Sequence, residues 1–198
     1  MSRNSQPNAR PRVLSYGPDA IITPANAVTV ARLMISPLLF AMISDHGSWA
    51  VVGLWTLLCV TDGIDGYLAR KQGTTRSGAF LDPLADKVLV LGAMFALVAN
   101  GQFWWLPVAL ISVRELAISM YRSFAARKGI TIPASKGAKV KTVFQQFAAG
   151  WPLLPLTDDA RWLWNTTLWI AVALTLLTGA RYFLDARRVA TEQLGDKR

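Results

Sequence analysis

The chain has 198 residues, 53% of them hydrophobic and eight of them Trp, yet its formal net charge is +9. That hydrophobic share is too high for a soluble domain of this size. The high hydrophobicity and the positive charge are compatible if the apolar runs lie in a membrane and the basic residues flank it. The single cysteine, Cys59, excludes a disulfide framework within the chain. The basic excess could indicate nucleic-acid binding, but Lys and Arg fall between the apolar runs, which favours a membrane protein without a nucleic-acid partner.

The apolar runs predict a single all-α domain between two tails. Segment 1–20 is rich in Arg, Pro, Asn and Ser, and it predicts a disordered tail because no apolar stretch precedes a cleavage site. Domain 21–186 is expected to be a bundle of six transmembrane helices, the first capped by Thr23 and Pro24. A basic cytoplasmic tail, 187–198, follows it. The expected spans are about 24–44, 48–70, 81–99, 103–126, 139–156 and 161–184.

The distribution of charge predicts the orientation of these spans. Of the 21 Lys and Arg residues, only Arg161 falls in the connections 45–48, 100–102 and 155–161. The opposite side carries the basic tails and loops, so both termini are expected in the cytoplasm, with the protein spanning a bacterial-type inner membrane many times. The other interface is expected to carry an aromatic belt of Trp49, Trp104, Trp105, Trp162 and Trp164.

Four carboxylates lie in two pairs on either side of a basic turn, Asp62 and Asp65, then Asp82 and Asp86. Because residues three or four apart share a helix face, each pair points one way. We expect the first pair to end one helix and the second to begin its antiparallel neighbour, so that all four meet in a cytoplasm-facing pocket. Clustered anions need cations, and oxygen ligands suit Mg²⁺, Mn²⁺ or Ca²⁺. The structural alternative is a set of buried ion pairs with Arg70, Lys87 or Arg114.

The remaining residues narrow the chemistry at this pocket. His46, the only histidine, falls in a predicted turn on the far side, so a carboxylate is the best available general base. The pocket is expected at headgroup depth, where a lipid-linked phosphate would lie. Since Mg²⁺ bridges phosphate oxygens, the pattern favours phosphoryl chemistry.

The acidic stretch resembles a known signature. Its pattern is Asp62-x2-Asp65-Gly66-x2-Ala69-Arg70-x7-Gly78-x3-Asp82-x3-Asp86, which is similar to that of the CDP-alcohol phosphatidyltransferases. The spacer before Gly78 has seven residues, where eight is common in the family. The resemblance covers about residues 22–184, and segments 23–33 and 136–142 look like the bacterial members that act on glycerol 3-phosphate.

The resemblance implies an integral membrane enzyme that moves a phosphatidyl group from CDP-diacylglycerol to an alcohol and releases CMP. It assigns Mg²⁺ or Mn²⁺, as two ions, to Asp62, Asp65, Asp82 and Asp86, and it makes Asp86 the general base as well. The residues implied for the cytidine diphosphate are Asn26, Gly66, Arg70 and Thr75. By analogy alone, a homodimer is a further expectation.

Basic residues beside the pocket are expected to grip a phosphorylated acceptor. They are Arg114, Arg122, Lys136, Lys139 and Lys141. Glycerol 3-phosphate fits this cluster, and inositol phosphate is its closest rival. An intramembrane prenyltransferase would be longer and space its carboxylates differently, and a cation transporter would need them near the membrane midplane. Release of CMP from CDP-diacylglycerol would separate the three classes.

Overall fold

The structure is a computed structural model that describes residues 20, 23–72, 76–127 and 136–195, apart from some side chains within these ranges. These residues form helices without any strand, which confirms the all-α prediction. Two 3-10 turns, Trp151–Leu153 and Pro155–Thr157, join the fifth helix to the sixth. The helices are α1 (Pro24–Met42), α2 (Trp49–Gln72), α3 (Arg76–Ala99), α4 (Trp105–Arg127), α5 (Lys136–Gly150) and α6 (Arg161–Gly195).

The order of the helices follows the prediction, but several ends differ. α5 stops at Gly150, where a span to 156 was expected, because Pro152 and Pro155 have no N–H for a continuing helix. α6 continues to Gly195 and thus takes in most of the segment expected to be a tail. Thr23 caps α1 as predicted, its hydroxyl accepting a hydrogen bond of 3.1 Å from the Asn26 N–H.

The expectation that the carboxylates mark helix ends is wrong. α2 runs on to Gln72 and α3 begins already at Arg76, so Asp62 and Asp82 both lie inside their helices. No proline interrupts the sequence between Asp62 and Gln72, and the helix-forming run Leu-Ala-Arg-Lys at 68–71 favours continuation.

α1 is the main neighbour of both α2 and α3, and these two helices have only a small contact with each other. The direct packing of α2 on α3 expected from the acidic stretch is therefore mostly replaced by contacts through α1. One such contact uses a glycine, since a Cβ on Gly92 of α3 would lie 2.2 Å from Cζ of Phe40 on α1. The glycine lets the aromatic ring lie against the α3 backbone.

The middle of α3 is the centre of the bundle. Leu89, Ala93, Met94 and Leu97 are each no more than 1% exposed. The second half of the bundle is built by α6, which packs against α4 and most extensively against α5. Small residues on α5 and α6, among them Ala148 and Ala171, are fully buried in the same apolar core.

The connections 43–48, 100–104 and 151–160 meet at one end of the bundle, which we call the tryptophan end. The Gly47 N–H donates to Asp158 Oδ1 at 3.0 Å, and the Gln102 amide donates to the Asp45 carbonyl at 3.1 Å. Trp49, Trp104, Trp105 and Trp162 are exposed there, as an aromatic belt requires. Trp164 is not part of such a belt, because it is 2% exposed and donates from Nε1 to Thr157 Oγ1 at 3.2 Å.

Two helices of the described residues are long and apolar enough to cross a membrane. They are α1, with a mean hydropathy of 1.5, and the Arg161–Tyr182 part of α6, with 1.4. Charged residues such as Asp62 and Glu115 lower the mean hydropathy of the other helices. Large apolar side chains nevertheless face outward, with Val113 69% exposed on α4. These features indicate a membrane protein, and the six spans stay a prediction.

Candidate active site

α1 holds two carboxylates of the acidic stretch. Thr29 donates its hydroxyl hydrogen to Asp82 Oδ1 on α3 at 2.9 Å. Nearly one turn further along α1, Arg32 Nη1 pairs with Asp62 Oδ1 on α2. Because residues three apart share a helix face, one face of α1 serves a carboxylate from each pair. The acidic stretch is therefore organised by a helix that precedes it in the chain.

Arg32 is a site residue that sequence reasoning missed. It is the only charged residue of α1, and its side chain is 1% exposed. A guanidinium is always protonated, so burying one is costly unless a counter-charge compensates it. An isolated Arg in an apolar helix is usually functional in a membrane protein, and that signal could have found Arg32 in the sequence.

Asp86 lies one turn beyond Asp82 on α3 and is half-buried. The charged residues near its carboxylate include Asp62, Arg32, Lys87 and Glu115. These residues belong to α1, α2, α3 and α4, so Asp86 lies where several helices bring charged groups together. A second polar cluster lies around Glu115 on α4.

That second cluster, called the Glu115 cluster below, is buried between α4, α5 and α6 and consists of Arg114, Glu115, Lys141, Gln145, Thr175 and Thr178. Glu115 Oε1 accepts hydrogen bonds from Lys141 Nζ, from Arg114 Nη1 at 3.0 Å and from Gln145 Nε2 at 3.3 Å. Gln145 also donates to Thr175 Oγ1 at 2.9 Å. The hydrogen bonds around Glu115 thus connect α4, α5 and α6.

The cluster brings together two of the predicted acceptor residues, Arg114 and Lys141, but with a carboxylate between them. Two cations share one anion, which leaves one positive charge in excess among the described groups. Arg114 donates from Nη2 to Thr178 Oγ1 at 3.0 Å, while its buried Nε has no hydrogen-bond partner in the described part of the chain. The side chain lies against Gly179, where an added Cβ would come within 3.1 Å of Nε. A buried cluster of this composition attracts an anion.

Other predicted residues lie outside the described side chains. Asn26 is described and is buried in the first turn of α1. The predicted residues not described to side-chain level are Asp65, Gly66 and Arg70 on α2, Thr75 before α3, Arg122 on α4, and Lys136 and Lys139 on α5.

The carboxylates offer the oxygen ligands that Mg²⁺ and Mn²⁺ prefer. Among the side chains that the structure describes, no three Asp, Glu, His or Cys groups are close enough to hold an ion. Asp65 is not among them, and Asp62 and Asp82 are turned toward Arg32 and Thr29. The carboxylate oxygens are suitable ligands for a divalent ion. In the described geometry, however, Asp62 is paired with Arg32 and Asp82 with Thr29.

Comparison with known proteins gives one family model that matches the chain, CDP-alcohol phosphatidyltransferase, over residues 22–177. A Mycobacterium tuberculosis (strain H37Rv) protein named "Probable phosphatidylglycerophosphate synthase" is 37% identical over 171 residues, which is 83% of this chain and 81% of the relative. Two relatives are named "CDP-diacylglycerol--glycerol-3-phosphate 3-phosphatidyltransferase". The one from Rickettsia felis is 35% identical over 82% of this chain and 94% of its own length. The one from Salmonella choleraesuis is 34% identical over 81% of this chain and 92% of its own length.

The matched region begins just before α1 and ends within α6, so it contains Thr29, Arg32, the acidic stretch and all of the Glu115 cluster except Thr178. The resemblance seen in the acidic stretch is thereby confirmed over most of the chain. This protein is a transferase and belongs to the CDP-alcohol phosphatidyltransferase family.

Proposed function

We propose that this protein transfers the phosphatidyl group of CDP-diacylglycerol to glycerol 3-phosphate, giving phosphatidylglycerol phosphate and CMP. The names of its relatives support both substrates. The observation that carries the proposal is the packing of α3, which bears Asp82 and Asp86, against α4 and α5, which bear Glu115 and Lys141. A site for a metal-bound diphosphate would then adjoin a site for an anionic acceptor.

The family is generally dependent on divalent metal ions. We assign Mg²⁺ or Mn²⁺, as two ions, to Asp62, Asp65, Asp82 and Asp86. When bound, the ions would neutralise the diphosphate and stabilise the charge that develops on the departing CMP. The part of the protein is to position the carboxylates, and the Thr29 hydroxyl does this for Asp82.

Asp86 is assigned as the general base. Its carboxylate takes the proton from the acceptor hydroxyl, and the hydroxyl oxygen forms a bond to the phosphorus of the phosphatidyl group. The bond from that phosphorus to the CMP oxygen breaks in the same displacement, so the electron pair leaves with CMP. Asn26, Gly66, Arg70 and Thr75 are assigned to the cytidine diphosphate, on the resemblance alone.

The Glu115 cluster supplies the support for an acceptor that carries a phosphate. Lys141 is buried and the Arg114 side chain is 13% exposed; together they exceed the charge of Glu115 by one, which a phosphomonoester would compensate. Lys136, Lys139 and Arg122 are assigned to the same phosphate because they lie on the α4 and α5 segments nearest the connection between these helices. A neutral alcohol would leave this charge unbalanced.

An apolar cavity supports the lipid part of the donor. It has a volume of about 370 Å³ and lies between α2 and the junction of α5 with the first 3-10 turn. Its walls include Trp55, Phe147 and Leu154, and it reaches Cys59, one turn before Asp62. A lipid whose diphosphate is bound near Asp62 could lay an acyl chain along this cavity.

We further propose that all six helices cross an inner membrane, with both termini and the acidic stretch on the cytoplasmic side. The outward apolar residues and the absence of Lys and Arg from 43–48, 100–104 and 151–160 support this orientation. The homodimer expected from the family analogy stays a prediction.

The test is CMP release by the purified protein from CDP-diacylglycerol, with glycerol 3-phosphate, inositol phosphate and glycerol as competing acceptors. We expect glycerol 3-phosphate to be the preferred acceptor and EDTA to abolish release. An Asp86→Asn preparation from the same host controls for contaminating host enzyme. Preference for another acceptor would overturn the proposed substrate, and release that survives EDTA would overturn the metal assignment.

A further inference from the structure

Arg32 differs from the other cations of the described bundle interior in its surroundings. It is 1% exposed on a helix with no other charged residue. A permanent charge in such a setting must be compensated nearby, and Asp62 supplies a compensating negative charge.

The same face of α1 reaches both halves of the acidic stretch. Arg32 places a positive charge beside Asp62 on α2, and Thr29 donates a hydrogen bond to Asp82 on α3. The guanidinium therefore lies against a carboxylate that is a predicted metal ligand.

Without a metal, the carboxylates of the acidic stretch repel one another in a setting where water cannot fully screen them. In the structure Asp62 faces Arg32. We propose that Arg32 is a built-in counter-ion that stabilises Asp62 when the metal is absent and competes with the metal for that carboxylate. The inference rests on the metal assignment made under the proposed function.

Competition and simple orientation predict opposite changes when the charge is removed. If Arg32 competes with the metal, its loss leaves a more negative pocket, and the metal binds more tightly. If Arg32 only orients Asp62 for the metal, its loss weakens metal binding. In both cases the guanidinium is a positioning group and does not touch the reacting atoms.

The experiment compares Arg32→Gln with the wild type in detergent, by thermal unfolding in EDTA and during titration with Mg²⁺ or Mn²⁺. In EDTA the midpoint should fall by about 2–8 °C, since Asp62, whose side chain is 33% exposed, loses its counter-charge. The apparent metal affinity should rise by about tenfold or more, because one positive charge beside the site has been removed. At saturating metal the two midpoints should converge.

Three variants make the result specific to charge. Arg32→Lys keeps the cation and should retain most of the EDTA midpoint. Asp62→Asn added to Arg32→Gln removes both charges and should recover most of the loss in EDTA, even if Arg32→Gln alone does not fold without metal. Arg181→Gln, at an exposed position of α6, should change neither quantity.

An equal fall of the midpoint with and without metal would overturn the proposal, as would weaker metal binding by Arg32→Gln or no recovery in the double variant. A wild type that binds neither metal would overturn it together with the metal assignment. CMP release is measured separately, so the proposed substrates can fail while the counter-ion proposal stands.

Discussion

Thr29 on α1 and Asp82 on α3 are 53 positions apart in the chain, and the Thr29 hydroxyl donates to Asp82 Oδ1 at 2.9 Å. Thr29 is fully buried, and its single hydroxyl hydrogen is shared between Asp82 Oδ1 and the Ala25 carbonyl of its own helix, which lies 3.1 Å away. The side chain is thus fixed from its own backbone while it reaches a carboxylate of another helix. This contact joins the N-terminal helix to the acidic stretch.

Thr29→Val should remove this hydrogen bond while keeping the shape of the side chain. The protein should lose about 0.5–1.5 kcal/mol of unfolding free energy, and the metal concentration for half-maximal CMP release should rise, because Asp82 is held less firmly. Thr29→Ser keeps the hydroxyl and should behave like the wild type. Thr166→Val, at an exposed position of α6, is the matched control. A metal requirement unchanged in Thr29→Val would show that the contact is only structural.

Asp86→Asn should keep the fold, since Asp86 is only half-buried and its replacement has nearly the same shape. Loss of a general base lowers the turnover by about 10²–10⁴-fold, and a disturbed metal adds to this loss. The measurement is CMP release at saturating substrates, together with thermal unfolding to verify folding. If the variant kept more than about a tenth of the wild-type turnover, another group would have to be the base.

The sequence predicted those features that are encoded locally. Apolar runs separated by short polar connections predicted the number and order of the helices, and Thr23 predicted the first helix start. The spacing of the carboxylates predicted the family, because that signature is contained in a single continuous stretch. These inferences needed no knowledge of which helices touch.

The contacts that depend on which helices pack together were not predicted from the sequence. Arg32 and Thr29 find their partners 30 and 53 positions away, and only the packing of α1 against α2 and α3 brings them together. Glu115 was seen next to Arg114, but its bond to Lys141 depends on α5 lying beside α4. Trp164 was assigned to the membrane interface because hydrophobicity alone cannot tell a lipid-facing tryptophan from a buried one.

Gly47→Ala should destabilise the tryptophan end. An added Cβ would lie 2.6 Å from the Leu154 carbonyl carbon and the Pro155 nitrogen, so the backbone of one connection would have to move. We expect a loss of about 1–3 kcal/mol, visible in thermal unfolding. Gly53→Ala is the control, because nothing lies within 4 Å of its added Cβ and alanine favours a helix interior. Equal stability of the two variants would contradict the described packing of these connections.

The proposed orientation can be tested by cysteine labelling in a Cys59→Ala background. His46→Cys lies at the tryptophan end, where the His46 side chain is 76% exposed, and Ser2→Cys lies in the N-terminal tail. Because basic residues avoid the tryptophan end, an impermeant reagent added to intact cells should label position 46 and not position 2. Labelling of position 2 from outside would reverse the orientation and remove the acidic stretch from the cytoplasm.

Arg114→Gln should raise the apparent KM for glycerol 3-phosphate and leave that for CDP-diacylglycerol nearly unchanged. Charge-assisted contacts of about 1.5–3 kcal/mol correspond to an increase of about 10–150-fold. Arg181→Gln, an exposed arginine on α6, should change neither constant.

Lys141→Gln tests the same acceptor site with a structural cost that can be measured independently. Lys141 and Glu115 are both buried, so the substitution should lower the free energy of unfolding by about 1–3 kcal/mol as well as raise the acceptor KM, while Arg114 still pairs with Glu115. Adding Glu115→Gln returns the net charge of Arg114, Glu115 and Lys141 together to the wild-type value, but it should not restore the acceptor KM, because the cation that binds the phosphate is still missing. If the double variant recovered the acceptor KM, Lys141 would act only through the net charge of the cluster, and the acceptor phosphate would have to be bound by other residues.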